Sequence, residues 1–271
     1  MSLKRLVFIA LICLSVLPLK AQLGLSFTIP QHSSNWAVLF GYTGLELEPI
    51  DTLFFDVDDH LSYEFILPQG MYQLEVDGNT LEFLSEGHPI QYITAFEINI
   101  GQWYDGANQQ WSAYLKQRTS YRNEIEALKT VLRQYDPKSQ FYQTASEEFV
   151  NRQNWLYDFT DRDISFHPDS YAAQLIKVDR EMRINPKASG AEQRQMLIDH
   201  FLDEVDFNDL SLIPTNVLTT KMIDYLSLFQ GFEGVNDPNV AFAIGLGKIL
   251  EKSKTFCFSA TSFWALARSV S

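Results

Sequence analysis

The sequence predicts an α+β protein: a small N-terminal antiparallel β-sandwich followed by an all-α helical domain. Three observations carry this expectation. Apolar and polar side chains alternate with period two from Leu23 to about Ile100. Beyond Gly101 the apolar positions recur every three or four residues, the period of a helix with one buried face. Between the two regimes, Asn99–Asn108 contains Gly101 and Gly106, which places a domain boundary there and divides 22–100 from 101–254.

The strands follow in order. Ser26–Ile29, Trp36–Tyr42, Leu45–Pro49 and Thr52–Val57 are short apolar runs bounded by turn residues. In Leu61–Leu67, the residues Tyr63, Phe65 and Leu67 share one face, opposite Ser62 and Glu64. Tyr72, Leu74 and Val76 alternate with polar residues, Asp77-Gly78 follows, and Leu81 and Phe83 alternate again. Alternating runs around Asp-Gly are a hairpin signature, because the tight turn needs positive φ. Ile90–Phe96 completes the set. Short strands at 8–12-residue spacing are the pattern of a small sandwich.

The helices come next. Trp111, Tyr114, Leu115, Tyr121, Ile125, Leu128, Leu132 and Tyr135 share one face of a long helix that Asp136-Pro137 ends. A second helix is expected over 140–157 with Phe141, Ala145, Phe149 and Leu156 buried, and a third over 170–183 capped by Asp169. Ser189 with Glu192 has the spacing of a capping box for a fourth. A fifth covers roughly 216–229. A sixth starts with Asp237 accepting from its first turn and Pro238 at the favoured first position.

The 271 residues are 46% apolar and 14% aromatic, enough for a sizeable core, which excludes wholesale disorder. A formal charge of −13 argues against nucleic acid as a partner, since phosphate recognition needs clustered Lys and Arg. Two cysteines exclude a disulfide scaffold and a cysteine-based zinc site.

Residues 1–21 read as a secretory signal peptide: Lys4 and Arg5, then an apolar run from Leu6 to Leu17, Pro18, and Ala21 before a cut at Gln22. A buried N-terminal helix is the alternative. The run is too short to span a bilayer, which needs about 20 residues. Ile12 before Cys13 argues against lipidation, because a small residue is normally required there. Cleavage would remove Lys4, Arg5 and Lys20 and no acid, changing the charge from −13 to −16 and leaving Cys257 as the one cysteine. The expected location is therefore periplasmic or secreted, with no membrane association after cleavage.

Candidate chemistry is sparse. Asp56, Asp58, Asp59 and His60 imitate a calcium loop but lack its regular alternation, its glycine at position six and its distal Glu, so a solvated turn explains them. The densest ligand set is Asp199–Asp209, in which His200, Asp203 and Asp206 are the candidate metal ligands. The spacing of three between His200 and Asp203 puts both on one helical face. Neither His-Glu-x-x-His nor paired Glu-x-x-His is present, and capping by Asp206 and Asp209 is the competing explanation. No nucleophile elbow, phosphate loop or Ser-x-x-Lys occurs, and His32, His60, His88, His167 and His200 have no serine or cysteine signature beside them. Cys257 sits among aromatic residues that would raise its pKa, which suits an inert thiol. Trp36, Trp103, Trp111 and Trp155 could form a carbohydrate platform or lie in the core. No catalytic residue and no cofactor are expected.

Two segments carry a resemblance. The first is Asp51-Thr-Leu-Phe-Phe-Asp-Val-Asp-Asp-His-Leu-Ser-Tyr-Glu-Phe65, continuing through Gly70-Met-Tyr-Gln-Leu74 and Leu81-Glu-Phe-Leu84. The second is His200-Phe-Leu-Asp-Glu-Val-Asp206-Phe-Asn-Asp209, with Leu212-Ile-Pro-Thr215, Val217-Leu218, Lys221 and Tyr225-Leu226. Together they resemble the small β domain of unknown function and the helical connector that open secreted thioredoxin-like proteins of the Bacteroidetes, over roughly 23–254. In that family a thioredoxin-like domain with redox-active cysteines follows. Here no Trp-Cys-x-x-Cys occurs, so no catalytic cysteine is carried over. Residues 255–271, with one charge (Arg268) and several aromatics, suggest a truncated or frame-shifted tail.

The resemblance implies an exported, non-catalytic accessory region of a thiol–disulfide oxidoreductase-like protein, contacting proteins of the cell envelope. It leads to an expectation that Tyr63, Phe65, Tyr72 and Phe83 are buried. A stand-alone envelope module for a glycan or protein would instead expose aromatics on one sheet face. A metal-dependent enzyme would need His200, Asp203 and Asp206 to converge in a cleft.

Overall fold

The computed structural model describes residues 24–94, Ile98, 101–231 and 234–254. The expected signal peptide, Cys257 and the 255–271 tail lie outside them. In chain order, the described strands are β1 (Leu25–Thr28), β2 (Trp36–Thr43), β3 (Glu46–Phe54), β4 (His60–Tyr63), β5 (Gly70–Val76), β6 (Asn79–Ser85), β7 (Ile90–Thr94) and β8 (Gly101–Trp103). The helices are α1 (Gly106–Gln134), α2 (Gln140–Phe166), α3 (Tyr171–Asp179), α4 (Gly190–His200), α5 (Val217–Ser227) and α6 (Pro238–Lys254). The class is α+β.

The strands form two sheets, ordered β4-β1-β7-β8 and β3-β2-β5-β6. The second is antiparallel throughout, and its β5–β6 hairpin turns at Asp77 (φ 52°) and Gly78 (φ 76°), the positive pair that a tight two-residue turn requires. The first departs from the expected all-antiparallel order, because β1 pairs parallel with β7. Gly24 anchors this join. Its N–H donates to Tyr63 (2.8 Å) and its carbonyl accepts from Ile90 (2.9 Å). A Cβ on Gly24 would lie 1.9 Å from the Phe65 carbonyl oxygen, so only glycine fits.

β3 is one strand where two are expected. Its pairing with β2 shifts between Leu39 and Phe40, with Leu39 opposite Asp51 and Phe40 opposite Pro49. Ile50 is the extra residue of a bulge. Pro49 is tolerated because β3 is an edge strand and proline has no N–H to donate. β8 was not anticipated and lies beyond the expected boundary at residue 100.

Both sheets contribute to one cluster: Leu25, Phe27, Leu61, Ile90, Tyr92 and Trp103 from the first, Ala37, Leu39, Leu53, Tyr72, Leu74 and Phe83 from the second. Phe27 meets Phe83 edge-on at 5.4 Å. Burying each such ring contributes about 1.5–3 kcal/mol. Of the four aromatics expected inside, Tyr72 and Phe83 are buried and Tyr63 is half-buried. Phe65 is 68% exposed, because β4 ends at Tyr63 and the chain passes the sheet end at Gly24.

α1 starts at Asp105, whose carboxylate accepts from Asn108 N (2.9 Å). Trp111, Tyr114, Tyr121 and Ile125 are buried as the periodicity implies, while Tyr135, just past the helix end, is exposed. α2 runs nine residues beyond the expected 157, since Thr160 prolongs its buried face and His167-Pro168 is the first breaker. Tyr142 rather than Phe141 faces inward. α3 is capped by Ser170, not Asp169, and stops at Arg180. The capping box at Ser189 and Glu192 is complete. Tyr42, Met71 and Leu84 from the second sheet join the helical core of Trp111, Leu175, Ile176 and Tyr225, which seats the helices on that sheet.

Two backbone contacts and one side chain complete the join. Gly44 N donates to Ile213 O (3.3 Å) and Met71 N to Pro214 O (2.8 Å). Asn108 accepts from Leu84 N (2.7 Å) and donates to Leu84 O (2.8 Å), acting as a neighbouring strand for the β6 edge. Among the described residues, no helix is long and apolar enough to cross a membrane.

Candidate functional site

The ligand candidates form a surface turn. At the C-terminal end of α4, His200 Nδ1 lies 2.8 Å from Asp203, as the spacing of three implies. Both are exposed, and Lys252 of α6 reaches the other Asp203 oxygen (3.1 Å) and the Asp199 carbonyl (2.7 Å). Burial raises the Asp203 pKa, but His200 and Lys252 outweigh it and hold the carboxyl below its ordinary value. Asp206 accepts from Asn208 N (2.9 Å) and Asp209 from Ser211 N (3.0 Å), the local capping roles. His200, Asp203 and Asp206 therefore do not converge. Among the described residues, no group of three or more His, Cys, Asp or Glu side chains is placed to hold a metal.

The second acidic cluster is likewise a turn. Asp56 accepts from Asp58 N (2.9 Å) and His60 N (3.0 Å), bonds that lower its pKa. Asp59 pairs with His32 (3.1 Å), whose ring stacks on Phe55 at 3.5 Å. The His60 ring lies between the Ser26 and Thr28 hydroxyls.

A partly buried ionic junction lies where α1, the end of α3 and α5 meet, and no local sequence pattern signals it. Arg118 pairs with Asp179, and Arg122 with Glu181 (2.5 Å). Lys221 of α5 is buried, donates to Arg180 O (3.1 Å) and lies 4.1 Å from the Phe201 ring centroid. Burial lowers the Lys221 pKa and raises that of neighbouring Asp224. Strongly perturbed groups can mark chemistry, but ion pairs that join helices perturb pKa in the same way. Here Arg118 and Arg122 are paired with carboxylates and Lys221 is held by a carbonyl and a ring, which suits a helix-joining role.

The surface with the clearest interaction character is the uncovered half of the second sheet. Its outer face carries Trp36, Val38, Phe40 and Tyr42 of β2 together with Thr52 and Phe54 of β3. At one end, Tyr42, Met71 and Leu84 lie under the helices, and the Tyr42 hydroxyl donates to Glu82. At the other end, Trp36 and Phe54 face each other across the strands, 48% and 70% exposed. Leu47 on β3, opposite Tyr42, is also exposed on this face, and Glu75, opposite Val38, adds an acidic group. Glu46, Glu48 and Asp51 stand opposite Thr43, Gly41 and Leu39 and so take the other face.

Of the tryptophans considered as a platform, Trp103 and Trp111 are buried and Trp36 and Trp155 exposed. Trp155 stacks on Phe159 of its own helix (5.9 Å), not beside Trp36. Alternation along β2 signals the outward face of Trp36. Phe54 was hidden by Phe54-Phe55, a pair whose facing cannot be decided without the bulge. Compared with protein-family models, curated proteins and solved structures, the chain matches none.

Proposed function

We propose that this chain is an exported, non-catalytic interaction module, the accessory region of a thioredoxin-like thiol–disulfide oxidoreductase system in the cell envelope. On this reading the two sheets are the layers of a sandwich, supported by their shared core, with a helical domain beginning near residue 101. The carrying observation is the exposed Trp36–Phe54 pair at the uncovered end of the second sheet. Exposed aromatics on a rigid sheet are the usual anchors of protein contacts. Glu75, opposite Val38 on the same face, and the chain's formal charge of −13 favour a partner surface with an apolar centre and a Lys/Arg rim. The signal-like residues 1–21 and the family resemblance support the export and the redox context.

The test is titration of the full chain with a secreted thioredoxin-like domain carrying Trp-Cys-x-x-Cys, followed by calorimetry at low and high salt. Binding that weakens with salt and is lost in the Trp36→Ser/Phe54→Ser double variant is expected. No binding, or insulin reduction catalysed by the chain itself, would overturn the reading. The stand-alone module alternative is favoured by the same Trp36–Phe54 pair, aromatics exposed on one sheet face, and by Phe65, whose exposure departs from the accessory-region expectation. Binding of soluble cell-wall oligosaccharides that depends on Phe65 would select it.

A further inference from the structure

The helical half contains a cavity of about 370 Å³, within the range typical of small-molecule sites. It lies between the C-terminal half of α1, the first half of α2 and the segment entering α4. Leu132, Tyr142, Phe149, Ile184 and Pro186 give it an apolar interior. Lys129 and Arg133 are its cationic lining residues, one turn apart on α1.

The walls are fixed in place without a ligand. Gln153 is buried on α2 and grips Ile184 from both sides, accepting from its N–H (2.6 Å) and donating to its carbonyl (2.9 Å). Gln193 donates to the carbonyls of Asn185 (2.9 Å) and Ala188 (3.0 Å). Lys187 reaches Gln143 (3.0 Å). Three side-chain bonds thus hold a segment with no regular structure of its own against α2, and two more tie it to α4. Such a preformed apolar hollow avoids the ordering cost that a mobile one incurs on binding.

Its polar groups are unevenly committed. Lys129 pairs with Glu126 (2.7 Å). Arg133 bonds only to its own helix, at Lys129 O (3.3 Å) and Thr130 Oγ1 (3.4 Å), and has no carboxylate within ion-pair distance among the described residues. The Tyr142 hydroxyl has no hydrogen-bond partner among the described residues. With Glu126 counted, the rim carries one net positive charge in a chain whose total is −13. A guanidinium with no carboxylate partner and a hydroxyl with no hydrogen bond among the described residues, beside an apolar floor, match one ligand chemistry: an apolar body ending in a single anionic group.

We propose that this cleft binds a small amphiphilic monoanion, a medium-chain or aromatic carboxylate, with its apolar body on Leu132 and Ile184 and its carboxylate at Arg133. This site is separate from the Trp36–Phe54 surface, so either assignment can fail without the other.

Calorimetry on the full chain with decanoate tests it, with decanol as the neutral counterpart. One decanoate per chain is expected, bound more tightly than decanol. Arg133→Gln, an exposed change that leaves the fold intact, should weaken decanoate by about two- to fivefold and leave decanol unchanged. Gly190→Phe supplies a blocking variant. Gly190 lines the cleft, and a Cβ there meets no atom within 4 Å, so the helix start accepts a side chain, whose ring is introduced to occupy the cleft. Gly190→Phe should abolish binding of both probes, with an unchanged circular dichroism spectrum as the folding control. No saturable binding of decanoate, equal affinity for decanol and decanoate, or binding that survives Gly190→Phe would each overturn the proposal.

Discussion

Replacing Asn108 with alanine should destabilise the protein by about 3 kcal/mol, more than any loss of side-chain volume at this site explains. The amide makes three bonds: it accepts from Leu84 N (2.7 Å) and donates to Leu84 O (2.8 Å) and to Asp105 (2.9 Å). Asn108 and Leu84 are both about 1% exposed, so water does not replace the lost partner. A buried backbone donor or acceptor left unpaired costs about 1–3 kcal/mol, and Asn108→Ala orphans one of each on the β6 edge. Asn108→Asp separates hydrogen bonding from volume. It keeps an acceptor for Leu84 N but turns a carboxylate oxygen toward Leu84 O and places a second acid beside Asp105. Burial already holds the Asp105 pKa above its ordinary value, and a like charge raises it further. The sign follows from linkage. A carboxyl with a raised folded pKa binds more protons folded than unfolded, so stability falls as pH rises from about 3.9 through the folded pKa. The Asn108→Asp deficit should therefore be largest at pH 7 and shrink on acidification toward pH 4. Urea unfolding followed by far-ultraviolet circular dichroism at both pH values measures it. An Asn108→Ala loss below about 0.5 kcal/mol, the scale of an ordinary surface change, would refute the edge-strand role of this amide. A pH-independent Asn108→Asp deficit would refute its coupling to Asp105.

Asp77 shows the opposite sign. Its carboxylate accepts from the backbone N–H groups of Ser33 (2.5 Å) and Ser34 (2.9 Å) and is held down to about 2. Its stabilisation is present above the unfolded value of about 3.9 and is lost as pH falls toward 2. The melting-temperature difference between wild type and Asp77→Asn should vanish over that window, and a difference persisting at pH 2 would count against the charge-assisted bonds. Lys221, with its folded pKa lowered by burial, should make stability rise with pH from that lowered value up to about 10.4. Lys221→Met should remove the rise and leave stability at pH 7 within about 1 kcal/mol, as replacement of a buried charge by an apolar isostere commonly does. Two glycines of α6 give a matched pair readable by thermal melts. Gly247→Ala meets no atom within 4 Å and should stabilise by about 0.5–1 kcal/mol. Gly245→Ala would place its Cβ 2.8 Å from Leu226 and 2.9 Å from buried Phe229, and should lower the melting temperature.

Local physics made much of the fold legible beforehand. Alternation located β2, β5 and β6, and Asp77-Gly78 marked their turn because few residues other than glycine, asparagine and aspartate accept positive φ. Ser189 with Glu192 and Asp237 with Pro238 marked helix starts because capping is decided within one turn. What escaped was decided at long range. The parallel β1–β7 pairing depends on Gly24 meeting Tyr63 and Ile90, which no local pattern encodes. The Pro49-Ile50 punctuation looked like a break and is a bulge, a distinction set by β3 lying at a sheet edge. The candidate site was less legible still. His200 and Asp203 pair as spacing requires, but the arrival of Lys252 from α6 was invisible, as was the meeting of Arg133 and Ile184 around one hollow.

The Ile213–Pro214 contacts affect how the chain matures during synthesis. The N–H groups of Gly44 and Met71 leave the ribosome long before the carbonyls that receive them. Leu84 differs, because Asn108 follows it closely and can close the β6 edge early. The nascent β half thus passes through a stage with one flank sealed and another unfinished, and that stage lasts until translation is past residue 214. Non-local pairings of this kind slow folding and leave unpaired backbone exposed to wrong partners in the interval. A chaperone that holds nascent chains would find its substrate in that interval, with two sheet amides still waiting for the segment that enters α5.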